Sequence, residues 1–455
     1  MKSEGESKLK IFNPATNELI REVNQDTTVS LQRKFEGAHN SQKKWATTSF
    51  DKRKKCIEKF KKLLIKNREQ LAKTLTLEVG KPLNQSRGEI SGTVARIDFF
   101  LKNTKECLKE TKYSKNERLS WEPLGVIGNI SAWNFPYFVG SNVFIPALLT
   151  GNAVLYKPSE FSTLTGLEIA KLMLESGISS DVFVPVIGGK EVGSDLLNLP
   201  LNGIFFTGSY PTGLNIAQAA SKKLMKVQLE LGGKDPVYVC DDIDVRVVAA
   251  ATADGAFYNT GQSCCSVERI YVHQKVYDKF VNEFLQTVKS FKSGDPLNDD
   301  TYIGPLTRKQ QIQVLEDHIK DALDKGATVA CGGQRIAGVG NYFQPTVLLN
   351  VTNQMKIMRE ESFGPIIGIM KVKNDDEATG LMNDTEFGLT ASVYTKNKKR
   401  ADKILKEMHS GSVYWNCCDR VMPYLPWTGR RHSGMGSTLG KLGIQTFLQP
   451  KAWHG

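Results

Sequence analysis

Cysteine is scarce in this chain, with eight in 455 residues, and none stands with histidines at zinc-ligand spacing. The number and placement are also wrong for a disulfide framework. Cys264–Cys265 and Cys417–Cys418 are adjacent pairs, a separation that strains an intrapair bridge. Reduced thiols, no metal site and a cytoplasmic setting are therefore expected. Long apolar runs are missing as well. The stretch near Val143–Leu149 contains Pro146 and is far shorter than a bilayer requires. The opening MKSEGESKLKIFNP is polar and lacks the apolar centre of a signal peptide. Neither a low-complexity tract nor an internal repeat is visible, which argues against solenoids and linker-rich architectures. No membrane partner is expected.

What is present is the composition of a folded enzyme, 40% hydrophobic and 24% charged. The length exceeds one ordinary domain and predicts two or three. A formal charge of +12 invites a nucleic-acid reading. The lysines argue against it, because they are spread over helical faces and form no compact tract. Between Asp51 and Leu75, for example, Ile57, Phe60, Leu64, Leu71 and Leu75 recur at helical spacing, with lysines on the other side. That is a solvated helix face.

Asn13 to Glu18 reads as a tight turn between two short strands, followed by helices from about Ser30 to Phe100. A polar interval, Lys102 to Arg118, precedes a strand at Gly125 to Ile130. Strands at Ala153–Tyr156, Val182–Ile187 and Gly203–Phe206 then alternate with helices at Leu164–Leu174, Glu191–Leu197 and Leu214–Ala220. Such alternation predicts a parallel sheet covered by helices. After Gly233 a second α/β series follows, with strand candidates at Arg269–His273, Pro345–Leu349, Ile366–Val372 and Ala391–Thr395. Ile444–Leu448 is a further strand candidate near the C-terminus.

Three chemical tools stand out. Cys264 lies in a small-residue turn, GQSCCSVER (Gly261–Arg269), after an apolar helical run. Glu230 ends a strand-like segment before a glycine pair, in ELGGKDP (Glu230–Pro236), and Asn134 sits in SAWNFP (Ser131–Pro136). A thiol attacks carbonyls, an amide stabilises an oxyanion, and a carboxylate activates water. These motifs, with KPSE, FTGS and EESFGP in the same order, resemble the NAD(P)-dependent aldehyde dehydrogenase superfamily over essentially the whole chain.

The resemblance implies an α/β fold with a Rossmann-type parallel-sheet cofactor domain, an α/β catalytic domain and a small β oligomerisation arm. The corresponding segments are 1–103 with 124–232, then 233–432, and finally 104–123 with 433–455. It makes Cys264 the nucleophile, Asn134 the oxyanion donor together with the Cys264 backbone N–H, and Glu230 the base. Cys265 is the competing thiol. Adjacent side chains diverge, so one faces the substrate and the other packs. Outside the resemblance, Asn134 reads as a turn cap and Glu230 as the salt-bridge partner of Lys234 or a neighbour.

FFTGSYPTG (Phe205–Gly213) is a strand end, turn and helix start, in which Gly208 permits the turn, Ser209 caps the helix and Pro211 suits its first turn. A helix N-terminus attracts a pyrophosphate, although a plain strand-turn-helix has the same pattern. KPSE ends an earlier strand, and two parallel strands ending side by side would share one crevice. The resemblance then implies that Lys157, Ser159 and Glu160 hold the adenosine ribose. Ser209, Gly208 and Gly189 contact the pyrophosphate region, and Trp133, Leu231, Glu361 and Phe363 flank the nicotinamide end. Glu160 would hydrogen-bond ribose hydroxyls and repel a 2′-phosphate, favouring NAD, with NADP as the alternative.

For the substrate pocket the candidates are Val139, Asn142, Cys265, Arg420, Tyr424 and Trp427. Neutral Asn142 cannot pair a distal carboxylate, whereas Arg420 could supply a positive charge. Tyr424 and Trp427 suit a cationic aldehyde through cation–π attraction or form an apolar wall. The expected activity is oxidation of an aldehyde through a Cys264 thiohemiacetal and thioester, hydrolysed with Glu230. Specialised succinate-semialdehyde and betaine or amino-aldehyde dehydrogenases are alternatives, as is a catalytically silent structural protein on this fold. The partners implied are a small aldehyde and a second copy of the chain, as homodimer or tetramer.

Overall fold

The computed structural model describes residues 7–455; the first six residues of the polar N-terminal segment lie outside the described residues. β1 (Lys8–Phe12) and β2 (Leu19–Asn24) form an antiparallel hairpin around the Asn13–Glu18 turn. Four helices follow: α1 (Thr28–Thr47), α2 (Phe50–Lys66), α3 (Arg68–Val79) and α4 (Leu83–Cys107). The apolar stripe read from the sequence is their inner face, since Ile57, Phe60, Leu64, Leu71 and Leu75 are all buried. α4 runs further than expected. Thr104 and Cys107 continue the buried stripe of Ile97 and Phe100 at helical spacing, so residues 102–107 of the polar interval are helix. After them come β3 (Thr111–Lys112) and β4 (Glu117–Pro123), paired antiparallel.

A parallel sheet is then laid down by β5 (Val126–Ile130), β6 (Ala153–Lys157), β7 (Phe183–Pro185), β8 (Gly203–Thr207) and β9 (Lys226–Glu230). Between successive strands run α5 (Pro136–Leu149), α6 (Thr163–Glu175), α7 (Lys190–Asn198) and α8 (Tyr210–Ser221). The spatial order is β7-β6-β5-β8-β9. The chain winds one way from β5, returns, and winds the other way from β8, which creates a switch point at the strand C-termini. The strands preceding KPSE and FTGS are therefore not neighbours, as the sequence had suggested; β5 separates them. Local spacing carries no information about the return crossover.

Only four residues separate β9 from β10 (Asp235–Val239), which opens a second sheet. β10 was not among the sequence candidates, because its short apolar run carries no period that distinguishes strand from helix. α9 (Val245–Phe257) leads towards β11 (Val267–His273), and β12 (Thr328–Cys331), β13 (Thr346–Leu349), β14 (Ile366–Val372), β15 (Thr390–Tyr394) and β16 (Ser412–Trp415) complete the set. Their order is β12-β13-β14-β11-β10-β15-β16, parallel except for β12. Alternate residues serve opposite faces. Tyr238 and Tyr271 enter one apolar cluster, whereas Val237, Val239, Ile270 and Val272 enter another.

Two late strands tie the ends together. β17 (Gly434–Met435) adds to β9, and β18 (Leu448–His454) pairs antiparallel with β4 along its whole length. The strand candidate at 444–448 needs correction. Residues Gly440–Gln445 are helical, and the strand begins only at Leu448. Ile444 and Phe447, both buried, are spaced three apart as on one face of a helical turn, not two apart as in a strand.

Candidate active site

The loops after β5, β6, β8 and β9 carry SAWNFP, KPSE, TGS and ELGG, so these motifs gather at one end of the first sheet. The linker from β9 to β10 also touches the second sheet's loops. A Cβ on Gly233 would stand 2.9 Å from the Cys264 carbonyl oxygen, and one on Gly232 would stand 2.3 Å from Glu361 Oε1. At Gly233 the atom crowded is backbone, so a side chain there would force the two loops apart. The Gly233 N–H donates to Glu361 Oε1 at 3.1 Å. ELGG, GQSC and EESFGP are thereby brought together.

The cysteine loop is held in a strained conformation. Asn259 and Thr260 have φ of 53° and 59°, a left-handed region that costs a β-branched residue most. Compensating bonds over-determine it: Asn259 Nδ2 donates to the carbonyls of Asn134 (3.2 Å) and Gln262 (3.0 Å), and Thr260 Oγ1 accepts from the Gly304 N–H (3.1 Å). Beyond it the two thiols part. Cys264 is partly exposed, while Cys265 is buried and donates to Asp419 Oδ1 at 3.0 Å. A hydrogen bond with Cys264, followed by burial, pushes the Cys265 thiol well above its ordinary range. Burial likewise raises the Asp419 carboxyl to about 7. Cys265 is thus a protonated, packed thiol. Among the described residues, the Cys264 backbone N–H makes no hydrogen bond to the protein.

Asn134 is buried, and its Nδ2 donates to the Gln262 carbonyl at 3.2 Å. An amide has two N–H groups, so this bond fixes the side chain against the cysteine loop and leaves one donor. Glu230 is also buried. Its Oε1 accepts from Gln228 Nε2 (2.8 Å) and Thr438 Oγ1 (3.1 Å), whereas Oε2 has no protein partner. Burial raises its pKa well above the ordinary carboxylate range. Lys234 is not its partner; that ammonium pairs with Glu268 at 2.5 Å.

Along the crevice, Lys157 is buried, and desolvation lowers its pKa against the raising charges of Glu160 and Glu191. Ser159 Oγ donates to Glu160 Oε2 at 3.3 Å. Ser209 is the N-cap residue of α8, although its hydroxyl pairs with Thr212 Oγ1 and not with a backbone N–H. The expected side-chain cap is therefore absent. Gly208 donates its N–H to the Glu230 carbonyl at 3.0 Å, and Gly189 begins α7 with its N–H on Gln25 Oε1 at 2.9 Å. Leu231 is buried against α8, where a Cβ on Gly213 would meet it. Trp133 packs edge-to-face on Phe363, with ring centroids 5.6 Å apart, and on Phe161 at 6.4 Å. Burial and the Glu268 charge push Glu361 up to about 8.

Val139 and Asn142 lie one turn apart on α5, Val139 partly exposed and Asn142 buried with an unpartnered Oδ1. Arg420 and Tyr424 are exposed. Trp427 is buried, and its backbone exchanges two hydrogen bonds with Thr438, the residue that also holds Glu230.

The chain matches the Aldehyde dehydrogenase family over residues 1–453. It belongs to that family. It is 33% identical to mitochondrial succinate-semialdehyde dehydrogenase of Oryza sativa subsp. japonica, covering 97% of this chain and 85% of that protein. Identity to peroxisomal aminoaldehyde dehydrogenase 1 of Malus domestica is 32%, with 98% and 92% covered. The structure of an NAD-dependent aldehyde dehydrogenase from Sinorhizobium meliloti superposes with a TM-score of 0.96 at 31% identity, covering 99% of this chain and 91% of that one. The relatives' names differ in substrate and compartment. Within this aldehyde dehydrogenase no described helix is long and apolar enough to cross a membrane. Among the described residues no cluster of three His, Cys, Asp or Glu side chains could hold a metal ion.

Sequence reasoning missed the groups that hold the site together. Glu268 accepts from the Ser362 and Phe363 N–H groups and from Lys234, clamping EESFGP to the ELGG linker. Glu268 lies inside GQSCCSVER, but only the fold reveals what it faces. Thr438 and Gln228, which orient Glu230, carry no motif signal. Phe363 has a φ of 47°, held by its N–H bond to Glu268.

Proposed function

We propose that this chain oxidises an aldehyde to the carboxylic acid with NAD(P), through covalent catalysis at Cys264. The observation that carries the reading is the close approach of Gly233 to the Cys264 carbonyl, which sets the loop after Glu230 beside the loop of Cys264. The Cys264 thiolate adds to the aldehyde carbon. The free N–H of Asn134 and the Cys264 backbone N–H receive the oxyanion of the thiohemiacetal. When bound, NAD(P) supplies the hydride acceptor that leaves a thioester on Cys264. Glu230, restrained at Oε1 and unpartnered at its buried Oε2, takes a proton from the water that hydrolyses this thioester.

The residues present fit the dinucleotide. The switch-point crevice, the α8 N-terminus behind Gly208 and Ser209, and Gly189 suit a pyrophosphate. Lys157, Ser159 and Glu160 suit a ribose, and Trp133, Leu231, Glu361 and Phe363 suit the nicotinamide end. The division into cofactor, catalytic and arm segments is part of the same proposal. A panel of aldehydes assayed by reduced-cofactor absorbance, with NAD and NADP separately, tests the reading. A silent structural protein would reduce neither cofactor with any aldehyde.

Glu160 is expected to set cofactor preference. Glu160→Ser should raise the NADP-to-NAD ratio of kcat/KM, by removing a charge that repels a 2′-phosphate. A wild type that already strongly prefers NADP would mean that this carboxylate points away from the ribose.

Self-association is expected through the arm. β18 is an edge strand whose residues Gln449–His454 are exposed, an unpaired ladder that invites another chain. Removal of residues 445–455 should dissociate the oligomer and abolish activity together. Light scattering tests this, and a fully active wild-type monomer at micromolar concentration would refute it.

A further inference from the structure

α4 carries two polar side chains on its buried face, Gln85 at 7% and Glu89 at 1% exposure. Spaced i and i+4, they stand one above the other, about 6 Å apart along the helix axis. Each grips a different loop of the site. Gln85 Oε1 accepts from the Asn259 N–H at 2.8 Å, while its Nε2 donates to the Tyr302 carbonyl at 3.1 Å. Glu89 Oε1 accepts from the Tyr137 and Phe138 N–H groups at 2.8 and 3.3 Å, and Oε2 accepts from Lys81.

Both contacts lead to an oxyanion donor. α5 begins at Pro136, and Phe135 before it makes no side-chain cap. The first N–H groups of a helix lack acceptors of their own, so Glu89 is the cap of α5, supplied by another helix. Lys81, paired with it, stands 3.7 Å over the Phe135 ring, next in sequence to Asn134. On the other side, Gln85 holds the backbone of Asn259, the left-handed residue whose Nδ2 donates to the carbonyls of Asn134 and Gln262. The Asn134 amide donates to that same Gln262 carbonyl, two positions before Cys264.

We propose that Gln85 is a positioning residue for the oxyanion site: it holds the cysteine loop at a set distance from the Asn134 loop, which Glu89 fixes on the same helix. The inference rests on the reading of the Asn134 amide and the Cys264 backbone N–H as the oxyanion donors. Such donors must stand about 2.7–3.1 Å from the developing charge, and a misplacement of about 1 Å costs about a hundredfold in rate. α4 spans the gap between the two loops as a rigid bar. The left-handed turn at Asn259 and Thr260 is costly, so withdrawing Gln85 lets the cysteine loop relax away from Asn134.

Gln85→Met, which keeps the length of the side chain and removes its acceptor, tests this with butanal and the preferred dinucleotide. An oxyanion forms in both acylation and deacylation, so the burst rate of reduced cofactor and the steady-state rate should both fall by about ten- to a hundredfold. KM for butanal and Kd for the dinucleotide should stay within about twofold of wild type. Gln85→Glu, which keeps an acceptor, should recover part of the loss. In an Asn134→Ala background, Gln85→Met should cost less than about twofold, because the site it serves is already broken. An undiminished burst rate in Gln85→Met, even with a lowered Tm, overturns the proposal, as does a full multiplicative loss in the double variant. Should Gln85→Met not fold, Gln85→Asn, which withdraws the acceptor by one methylene, is read by the same two rates. No burst from the wild type with butanal or any other aldehyde of the panel would instead defeat the dehydrogenase reading, and this inference with it.

Discussion

Cys264→Ala is expected to abolish aldehyde oxidation, by roughly 10⁴-fold or more, while NAD binding stays close to wild type. In the proposed mechanism the Cys264 thiol forms the covalent adduct, and none of the residues proposed to hold the dinucleotide depends on it. Cys265→Ala should keep most of the activity, because that side chain is buried on Asp419 and held protonated. Steady-state oxidation rates with tryptophan-fluorescence titration of NAD separate the two effects. The reverse result, Cys265→Ala inactive and Cys264→Ala active, would move the nucleophile to the buried position.

The second large effect concerns Glu230. Glu230→Gln should still release one equivalent of reduced cofactor in a rapid burst, then turn over about 10²- to 10⁴-fold more slowly. In the proposed mechanism acylation precedes water activation, so only the second half-reaction needs the base. Stopped-flow absorbance reads both phases, and loss of the burst would assign Glu230 to a step before the thioester. A pH profile adds an independent sign. Burial raises the Glu230 pKa, so the base form is gained only as pH climbs through that raised value. Wild-type deacylation should therefore rise with pH over a range displaced upward from that of an ordinary glutamate, and the limb should vanish in Glu230→Gln. Thr438→Val, which removes the hydroxyl from Oε1, is expected to shift the limb further up by weakening a bond that favours the charged form.

Much of the fold follows from the sequence by itself. The alternation of strand and helix from Gly125 to Glu230 specifies a parallel sheet, because each segment's period says which face it must bury. The lysine-rich stripe between Asp51 and Leu75 specifies a solvated face, and the motifs around Asn134, Glu230 and Cys264 carry the resemblance from which a chemistry is proposed. The tertiary structure decided what depends on contacts between distant segments. The return crossover from β7 to β8 put β5 between the strands that carry KPSE and FTGS, and no local pattern encodes a crossover. Residues 440–445 formed a helical turn, followed by buried Phe447, where the short run Ile444–Leu448 had suggested a strand. Glu230 gained its raised pKa from burial, against the opposing bonds of Thr438, 208 positions away, and Gln228. Arg96 is one more arginine in a polar helix when read as a letter. Only the fold buries its guanidinium 3.6 Å over the Phe138 ring, with no ion pair among the described residues, because the cost of a charge is set by what surrounds it and not by its residue type.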